Sequence, residues 1–327
     1  MSKAKDMRIL ITGGSGFIGS NLVEFYNVKD YNILNIDFTK PSSNKYDKFW
    51  IKADIRNYNE LEPIIFNFNP DYIIHLAART DLDGKTLDEY SSNTIGTENL
   101  LKISDKLINL KRVIFTSSML VCYPGYIPTN ELDYAPSTVY GESKVEMEKI
   151  IREYNPKYSW CIIRPTSIWG PGFGVPYRNF FDMIINRRYV HFGKETTKTY
   201  GYIGNAIYQI NTILNADSII DKQVFYIGDY EPTNIKIWAN EIANEIGIRI
   251  PEIPHFLIKS AASIGDFLLK LNIHFPMTNF RLKNMTTKNV VNLGNTQELA
   301  PNLPYSRIEG IRNTLNWMNL KKWRLAL

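Results

Sequence analysis

Tyr140 and Lys144 lie four residues apart, and the apolar pattern over 139–154 predicts a helix there. Side chains at this spacing share one helical face. A phenol with a pKa of about 10 is a poor base at neutral pH, but a neighbouring ammonium favours the phenolate and lowers that pKa. The pair could therefore exchange a proton with a substrate hydroxyl, although such a pair standing alone is more typical of an exposed helix.

A run of hydroxyl residues, Thr116-Ser117-Ser118, closes the strand predicted over 112–117. Ligands of open parallel sheets bind beyond the carboxyl ends of the strands, so we expect these hydroxyls to reach the binding edge. Ser118 could polarise a substrate hydroxyl or carbonyl while Tyr140 moves the proton. Either serine taken singly is more typical of a turn or a helix cap.

Glycines at positions 13, 16 and 19 follow a strand predicted over 8–12 and open a helix predicted over 16–26. Gly13 permits a tight turn, Gly16 lets the backbone approach a pyrophosphate, and Gly19 lets helix and strand pack closely. The helix N-terminus offers free N–H groups and a partial positive charge to the phosphates. A glycine pattern alone can be a flexible turn, but this context predicts dinucleotide binding.

Asp37 ends the strand predicted over 32–37, roughly 20 residues after the glycines. A carboxylate there accepts hydrogen bonds from the ribose hydroxyls and repels a 2′-phosphate, which favours NAD over NADP. Lys40 lies close enough in the sequence to weaken that preference, and Asp37 could instead cap the next segment. With NAD bound, the positive nicotinamide ring and Lys144 should both favour the Tyr140 phenolate, and Lys144 could hold the nicotinamide ribose.

Short apolar runs alternate with helical patterns through the first half of the chain. Strands are predicted over 8–12, 32–37, 49–52, 72–76, 112–117 and 160–164, and helices over 16–26, 57–67, 87–107 and 139–154. A returning strand over 223–227 and a closing helix over 308–318 follow. The alternation predicts an α/β fold, a doubly wound parallel sheet of the Rossmann type with a smaller, discontinuous α/β substrate lobe.

The length of 327 residues suits about two domains. We predict a dinucleotide-binding Rossmann domain over 1–169, to which 200–228 returns. The substrate-binding lobe would then comprise 170–199 and 229–327.

The composition is ordinary for a globular protein, with 44% hydrophobic and 22% charged residues. The net charge of +5 is dispersed, which speaks against a nucleic-acid partner. No stretch approaches the roughly 20 apolar residues of a membrane span, and the polar start over 1–6 lacks a signal-peptide core. Two cysteines cannot form a disulfide framework, so we expect a reducing, cytoplasmic setting. The four histidines have no metal-ligand spacing, so no metal is expected.

The chain resembles the extended short-chain dehydrogenase/reductase family, in its nucleotide-sugar epimerase/dehydratase branch. The resemblance covers nearly the whole chain and lies in an ordered series of motifs at 12–19, Asp37, 54–55, 75–78, 93–97, 116–118, 140–144, 164–165 and 170–172. It implies NAD as the cofactor and a homodimer formed through the helices predicted over 87–107 and 139–154. These motifs are more specific for the family than for the reaction.

The resemblance also implies roles for individual residues. Ser118, Tyr140 and Lys144 would form the catalytic set. Cofactor contacts would come from Gly13, Gly16, Phe17, Ile18, Gly19, Asp37, Asp54, Ile55, Leu76, Ala77, Ala78, Asn93, Tyr140, Lys144 and Pro165. Substrate contacts would come from Thr80, Ser118, Tyr140, Asn179, Lys198 and Arg281. His75 would be a packed strand-end residue and not a metal ligand.

The residues after Ser118 distinguish the reactions of this branch. Its dehydratases carry an Asp-Glu pair there, whereas this chain has Met119 and Leu120 and so lacks proton carriers for loss of water. The position of Ser118 three residues before Val121 is similar to the pattern of the UDP-galactose 4-epimerase group. We therefore expect an NAD-dependent epimerase of a nucleotide-activated sugar that acts at C4 through a transient keto-sugar.

Two departures leave alternatives open. The segment 198–200 is Lys-Thr-Tyr where the family has Arg-Asp-Tyr, and Asn205 replaces the Asp that follows. A lysine lacks the bidentate fork of a guanidinium, so nucleotide-sugar specificity is less firmly indicated. The alternatives are an NAD(P)H-dependent 4-keto-sugar reductase and a hydroxysteroid or dihydroflavonol dehydrogenase, which an amphipathic helix predicted over 254–271 would suit. The complete catalytic set disfavours a non-enzymatic dinucleotide sensor.

Overall fold

The computed structural model describes residues 6–191, 195–253 and 286–318. At its centre is a seven-stranded sheet in which all neighbouring strands run parallel. The strands are β1 (Arg8–Thr12), β2 (Asn32–Asp37), β3 (Trp50–Lys52), β4 (Tyr72–His75), β5 (Arg112–Thr116), β6 (Ser159–Pro165) and, later in the chain, β10 (Val224–Ile227). Their order is β10-β6-β5-β4-β1-β2-β3. The predicted doubly wound α/β fold and the returning strand over 223–227 are confirmed.

Helices cover both faces of this sheet. They are α1 (Phe17–Val28), α2 (Tyr58–Phe68), α3 (Ser91–Ser104), α4 (Val139–Tyr154) and α6 (Ile203–Asn215). In β1, Ile9 and Ile11 belong to the hydrophobic cluster that contains α1 and α6, whereas Leu10 belongs to the cluster with α2, α3 and α4. Because alternate side chains of a strand point to opposite faces, one apolar run supplies both cores.

The other helices and strands lie outside this sheet. They are β7 (Ser167–Trp169), β8 (Thr197–Lys198), β9 (Tyr200–Tyr202), β11 (Thr233–Asn234), α5 (Tyr177–Ile185), α7 (Ile235–Glu245), α8 (Gly294–Leu299) and α9 (Arg307–Trp317). Trp238 is buried, and its ring lies 4.7 to 5.8 Å, between centroids, from those of Trp169, Phe180, Phe181 and Tyr200. The division of the chain at 169, 199 and 228 stays a prediction.

The helix predicted over 87–107 is wrong in its bounds. A 3-10 turn, Leu87–Tyr90, comes first and begins with a capping box between Thr86 and Glu89. Tyr90 then adopts non-helical dihedral angles, with φ −104° and ψ 25°, and α3 begins after it. The non-helical backbone at Tyr90 therefore interrupts what looks like one long helical pattern in the sequence.

Two further predictions concern the second half of the chain. The closing helix predicted over 308–318 is confirmed as α9, whereas the segment 254–271 lies outside the described residues. Cys122 and Cys161 are buried free thiols. None of the helices within the described ranges is long and apolar enough to cross a membrane.

Candidate active site

A cleft of about 930 Å³ lies at the carboxyl ends of the parallel strands. Gly13, Asp37, Ala77, Ser118 and Pro165 end or closely follow β1, β2, β4, β5 and β6, and all of them line the cleft. The loops that follow parallel strands all begin at the same edge of the sheet, so residues far apart in the sequence meet here. The volume suits a ligand of cofactor size.

The glycine turn between β1 and α1 leaves no room for side chains. Gly13 has a φ of +75°, and a Cβ on it would lie 2.6 Å from the Ala77 amide nitrogen. A Cβ on Gly19 would collide with the Gly13 carbonyl. Gly16 is the N-cap of α1, and no side chain of the described residues caps that helix. The bare backbone and the uncapped amides fit the pyrophosphate of a dinucleotide.

Asp37 holds the turn that carries the glycines. Its carboxylate accepts hydrogen bonds from the amides of Ser15, at 2.9 Å, and Thr39, at 2.8 Å. Each carboxylate oxygen keeps a lone pair for a ribose hydroxyl. Lys40 pairs with Asp47 at 2.8 Å, so the cation that weakened the preference for NAD is engaged elsewhere.

Asp54 and Ile55, two predicted cofactor contacts, also line the cleft. Arg56 binds the Asp54 carboxylate through Nε at 3.0 Å and Nη2 at 2.6 Å, and this pairing lowers the pKa of the carboxyl. Asp54 is therefore ionised and held in place at neutral pH. The cleft is also lined by other predicted cofactor contacts, Phe17, Ile18, Leu76 and Ala78, and by the predicted substrate contact Thr80.

Asn93, a predicted cofactor contact, lies outside the cleft lining. Its buried Oδ1 accepts from the Arg79 amide at 2.8 Å, while Nδ2 donates to the Arg79 carbonyl at 3.1 Å and to the Ser143 hydroxyl at 2.9 Å. These bonds connect α3 with α4 and with the loop after β4. They indicate a positional role for Asn93, and a direct contact with the cofactor stays a prediction.

His75 is confirmed as a packed strand-end residue. Its ring nitrogens hydrogen-bond the hydroxyls of Thr12, at 2.7 Å, and Thr97, at 3.1 Å. Burial lowers the pKa of His75 to about 3, so the ring is neutral. Across the described part of the chain, no cluster of three or more His, Cys, Asp or Glu side chains could hold a metal ion.

Tyr140 lies in the cleft wall and is 7% exposed. Burial raises the pKa of its phenol to about 12, and a hydrogen bond with Ser118 offsets this only partly. The Lys144 Nζ donates to the Thr116 carbonyl at 2.9 Å. Burial lowers the pKa of Lys144 to about 7, against the opposite effect of the Glu148 charge. In the chain alone, burial therefore outweighs the other influences on both groups, and the expected effect of Lys144 and the nicotinamide ring on Tyr140 stays a prediction.

Three hydroxyl residues at the end of β5, Thr116, Ser117 and Ser118, all line the cleft. The Ser118 Oγ accepts from the Leu120 amide at 3.1 Å and caps the turn Met119–Val121, so this serine both caps a turn and faces the cleft. The hydroxyls of Thr116 and Ser117 are buried and have no hydrogen-bond partner among the described residues. Buried polar groups of this kind are normally satisfied by a ligand or by water.

A buried ion pair lies one helical turn beyond Lys144. Glu148 accepts from Arg164 Nε at 2.8 Å and Nη2 at 2.7 Å, and from the Tyr134 hydroxyl at 2.9 Å. Both charged side chains are at most 1% exposed. The spacing of Tyr140, Lys144 and Glu148 by four residues is the signal in the sequence that could have revealed this residue.

A second pocket of about 330 Å³ shares Tyr177 with the cleft. It contains Asn179 and Lys198, two predicted substrate residues that the structure thus separates from the catalytic set. Burial lowers the pKa of Lys198. Much of the pocket wall is aromatic, from Tyr177, Phe180, Tyr189, Tyr200 and Trp238. Arg281, another predicted substrate contact, lies outside the described residues.

A family model described as the NAD dependent epimerase/dehydratase family matches residues 9–208. That range is more than half of the chain, and it contains the glycine turn, Asp37 and the catalytic candidates. The chain belongs to the NAD dependent epimerase/dehydratase family. The predicted family, the prediction of an enzyme and the prediction of NAD as its cofactor are therefore confirmed.

Proteins that are similar to this chain differ in activity. The chain is 26% identical over 318 residues to an N-acetyl-alpha-D-glucosaminyl-diphospho-ditrans,octacis-undecaprenol 4-epimerase of Escherichia coli O157:H7, with 94% of each chain covered. It is 29% identical over 268 residues to a 3-beta-hydroxysteroid dehydrogenase of Mycolicibacterium neoaurum, covering 75% of this chain and 72% of that one. Its fold is similar to that of a UDP-glucuronic acid 4-epimerase from Bacillus cereus solved with NAD, with a TM-score of 0.72, 21% identity and coverage of 96% and 99%.

Proposed function

We propose that this protein is an NAD-dependent 4-epimerase of a nucleotide-activated sugar. The observation that carries the proposal is the placement of Ser118 and Tyr140 in the same cleft as the uncapped glycine turn. Bound NAD would accept a hydride from the sugar carbon and return it to the opposite face. Similarity along 94% of the chain to a protein named as a 4-epimerase supports this class of reaction.

Side chains of the protein carry out the proton transfers. Tyr140 takes the proton of the sugar hydroxyl while that carbon is oxidised and returns it when the carbon is reduced. Ser118, which hydrogen-bonds the phenol, orients the reacting hydroxyl. Because burial raises the pKa of Tyr140 to about 12, the phenol becomes a base only when positive charge enters the cleft. The hydrogen bond from Lys144 to the Thr116 carbonyl holds α4, which carries Tyr140, against the end of β5.

Two apolar residues argue against a dehydratase. Met119 and Leu120, which directly follow Ser118, line the cleft. Side chains without titratable groups cannot remove one proton from carbon and supply another to a leaving hydroxyl. The sugar therefore keeps its hydroxyl groups while the configuration at C4 changes through a transient keto-sugar.

The second pocket supports a diphosphate carrier on the sugar. Lys198 offers a cation for phosphate, and the aromatic wall offers faces on which a nucleobase can stack. The same apolar wall would also suit an isoprenoid carrier, and the Escherichia coli relative is named for a substrate of that kind. A sugar on a lipid diphosphate is therefore the second candidate substrate.

Identification of bound cofactor followed by a substrate screen tests the proposal. Denaturing the purified protein should release NAD, and the NAD-loaded protein should convert a UDP-, GDP-, dTDP- or CDP-sugar to its C4 epimer. Turnover of an undecaprenyl-diphosphate sugar alone would favour the second candidate. NAD(P)H consumed in proportion to product would establish a keto-sugar reductase instead, and NADH formed from a sterol alcohol would establish a hydroxysteroid dehydrogenase.

We also infer a homodimer located in the cytoplasm. Helices α3 and α4 pack against each other, and Ile95 on α3 is 46% exposed, which suits an apolar contact between copies. The free thiols of Cys122 and Cys161 suit a reducing compartment. Light scattering tests the dimer, and Ile95→Glu should shift it towards the monomer.

A further inference from the structure

Asn289 pairs through its main chain with the strand that carries Lys198. Its amide donates to the Thr197 carbonyl at 3.2 Å, and its carbonyl accepts from the Thr199 amide at 2.9 Å. These bonds lie on both sides of Lys198, so Asn289 continues the β8 pairing at the point where the cation enters the second pocket. A movement of β8 therefore moves Asn289 as well.

The side chain of Asn289 reaches the segment that follows Ser118. Its Oδ1 accepts from the Gly125 amide at 3.1 Å, and its Nδ2 lies 3.9 Å from the Met119 sulfur. Gly125 has a φ of +93°, and a Cβ on it would lie 3.3 Å from the Lys288 carbonyl, which shows how closely the two segments approach. Asn289 thus contacts the residue next to Ser118 and the loop beyond it.

We propose that Asn289 is a positioning residue that couples the cation at Lys198 to the Ser118 hydroxyl. A diphosphate held by Lys198 would restrict the motion of β8. Because Asn289 pairs with β8 and its side chain contacts Met119 and Gly125, the segment 119–125 would be restricted as well. Ser118 caps the turn Met119–Val121, so any shift of this turn moves its Oγ. The inference rests on the proposed function, because it takes Ser118 to orient the reacting hydroxyl.

Kinetics of the NAD-loaded protein, with UDP-glucose as the probe, test this coupling. Asn289→Ala should lower kcat about tenfold, since misplacement of a reacting group by a fraction of an ångström has an effect of this order. NAD content should not change. Asn292→Ala is the matched control, because this side chain lies in the same segment but accepts from the Gly294 amide. It should keep the wild-type kcat.

A double variant separates coupling from a general structural role. Lys198→Met and Asn289→Ala would break the same connection, so the double variant should be about as slow as the slower single variant. The inference would be overturned if the fold reduction of kcat in the double variant equalled the product of the two single reductions. A wild-type kcat in Asn289→Ala would also overturn it.

Hydrogen exchange distinguishes this inference from the proposed function. Inorganic pyrophosphate, as the probe, should slow exchange over 119–125 in the NAD-loaded wild type and not in Asn289→Ala. Asn289→Asp keeps an acceptor for the Gly125 amide and should restore the protection. If no sugar is turned over, the proposed function fails, yet equal protection in wild type and Asn289→Ala would still be needed to reject the coupling.

Discussion

The Lys144 Nζ lies 2.9 Å from the Thr116 carbonyl oxygen, in the wall of the cleft. This hydrogen bond ties α4, which carries Tyr140, to the end of β5, which Ser118 follows. It fixes Tyr140 and Ser118, the two residues proposed to act on the substrate hydroxyl, relative to each other. It also holds an amine where burial disfavours its charge, and the pKa of Lys144 falls to about 7.

Tyr140→Phe should abolish most turnover and keep the cofactor. The substitution removes the hydroxyl proposed to exchange the substrate proton, and general acid–base groups of this kind contribute about 100- to 10,000-fold to the rate. The ring still fills the same buried space, so folding and NAD content should not change. Epimerisation kinetics and NAD released on denaturation are the measurements. A variant with wild-type turnover would remove Tyr140 from the mechanism.

Lys144→Met should make stability less dependent on pH. The folded pKa of Lys144 is about 7, and that of a lysine in an unfolded chain is about 10.4. Between these values the unfolded chain binds more protons, so this group makes wild-type stability rise with pH. The variant lacks this contribution, and its advantage in Tm should be largest below about pH 7 and shrink as the pH rises towards about 10. Thermal unfolding across this range checks the sign, and an advantage that grows with pH would contradict it.

Glu148→Gln should destabilise the fold strongly. It leaves the Arg164 guanidinium buried without its charge partner, which costs about 3–5 kcal/mol in comparable cases. Glu146→Gln on the same helix is the control, because its pair with Lys149, at 3.6 Å, is half exposed and contributes at most about 1 kcal/mol. Urea denaturation measures the free energy of unfolding of both variants. Equal decreases would show that the buried ion pair stabilises the fold no more than the exposed one.

Asp37→Ala should weaken NAD binding about 10- to 100-fold, the range expected when a charged hydrogen-bond acceptor is lost. The variant loses the acceptor for the ribose and the bonds from the Ser15 and Thr39 amides. Asp47→Ala serves as the comparison, because it breaks the Lys40 ion pair without touching the predicted ribose site. Calorimetry should find nearly unchanged NAD affinity in Asp47→Ala. The account of Asp37 fails if both variants bind NAD equally.

The parts of the site that local patterns specify could be predicted from the sequence. Gly13 directly follows β1 and Asp37 is the last residue of β2, and Tyr140 and Lys144 share a helical face because they lie four residues apart. The sheet then brings these residues to one edge, because parallel strands share a direction. Secondary structure and short spacing were therefore sufficient for the cleft.

Features that depend on tertiary packing could not be predicted in the same way. The direction of the pKa shift of Tyr140 follows from burial, which the sequence does not display. Tyr177 lines both cavities, and Asn289 lies beside Gly125. Both positions result from contacts between segments that are far apart in the sequence. The start of α3 depends on the non-helical backbone at Tyr90, which the helical pattern in the sequence does not show.

The fate of a label at C4 tests the central claim most directly. The NAD-loaded protein should be incubated with a UDP-sugar that carries deuterium on C4, and the recovered sugars should be analysed by mass spectrometry and NMR. We predict that the C4 epimer forms with the deuterium retained at C4 and without net formation of NADH. Loss of the deuterium to water, or an accumulating keto-sugar with an equal amount of NADH, would contradict the account.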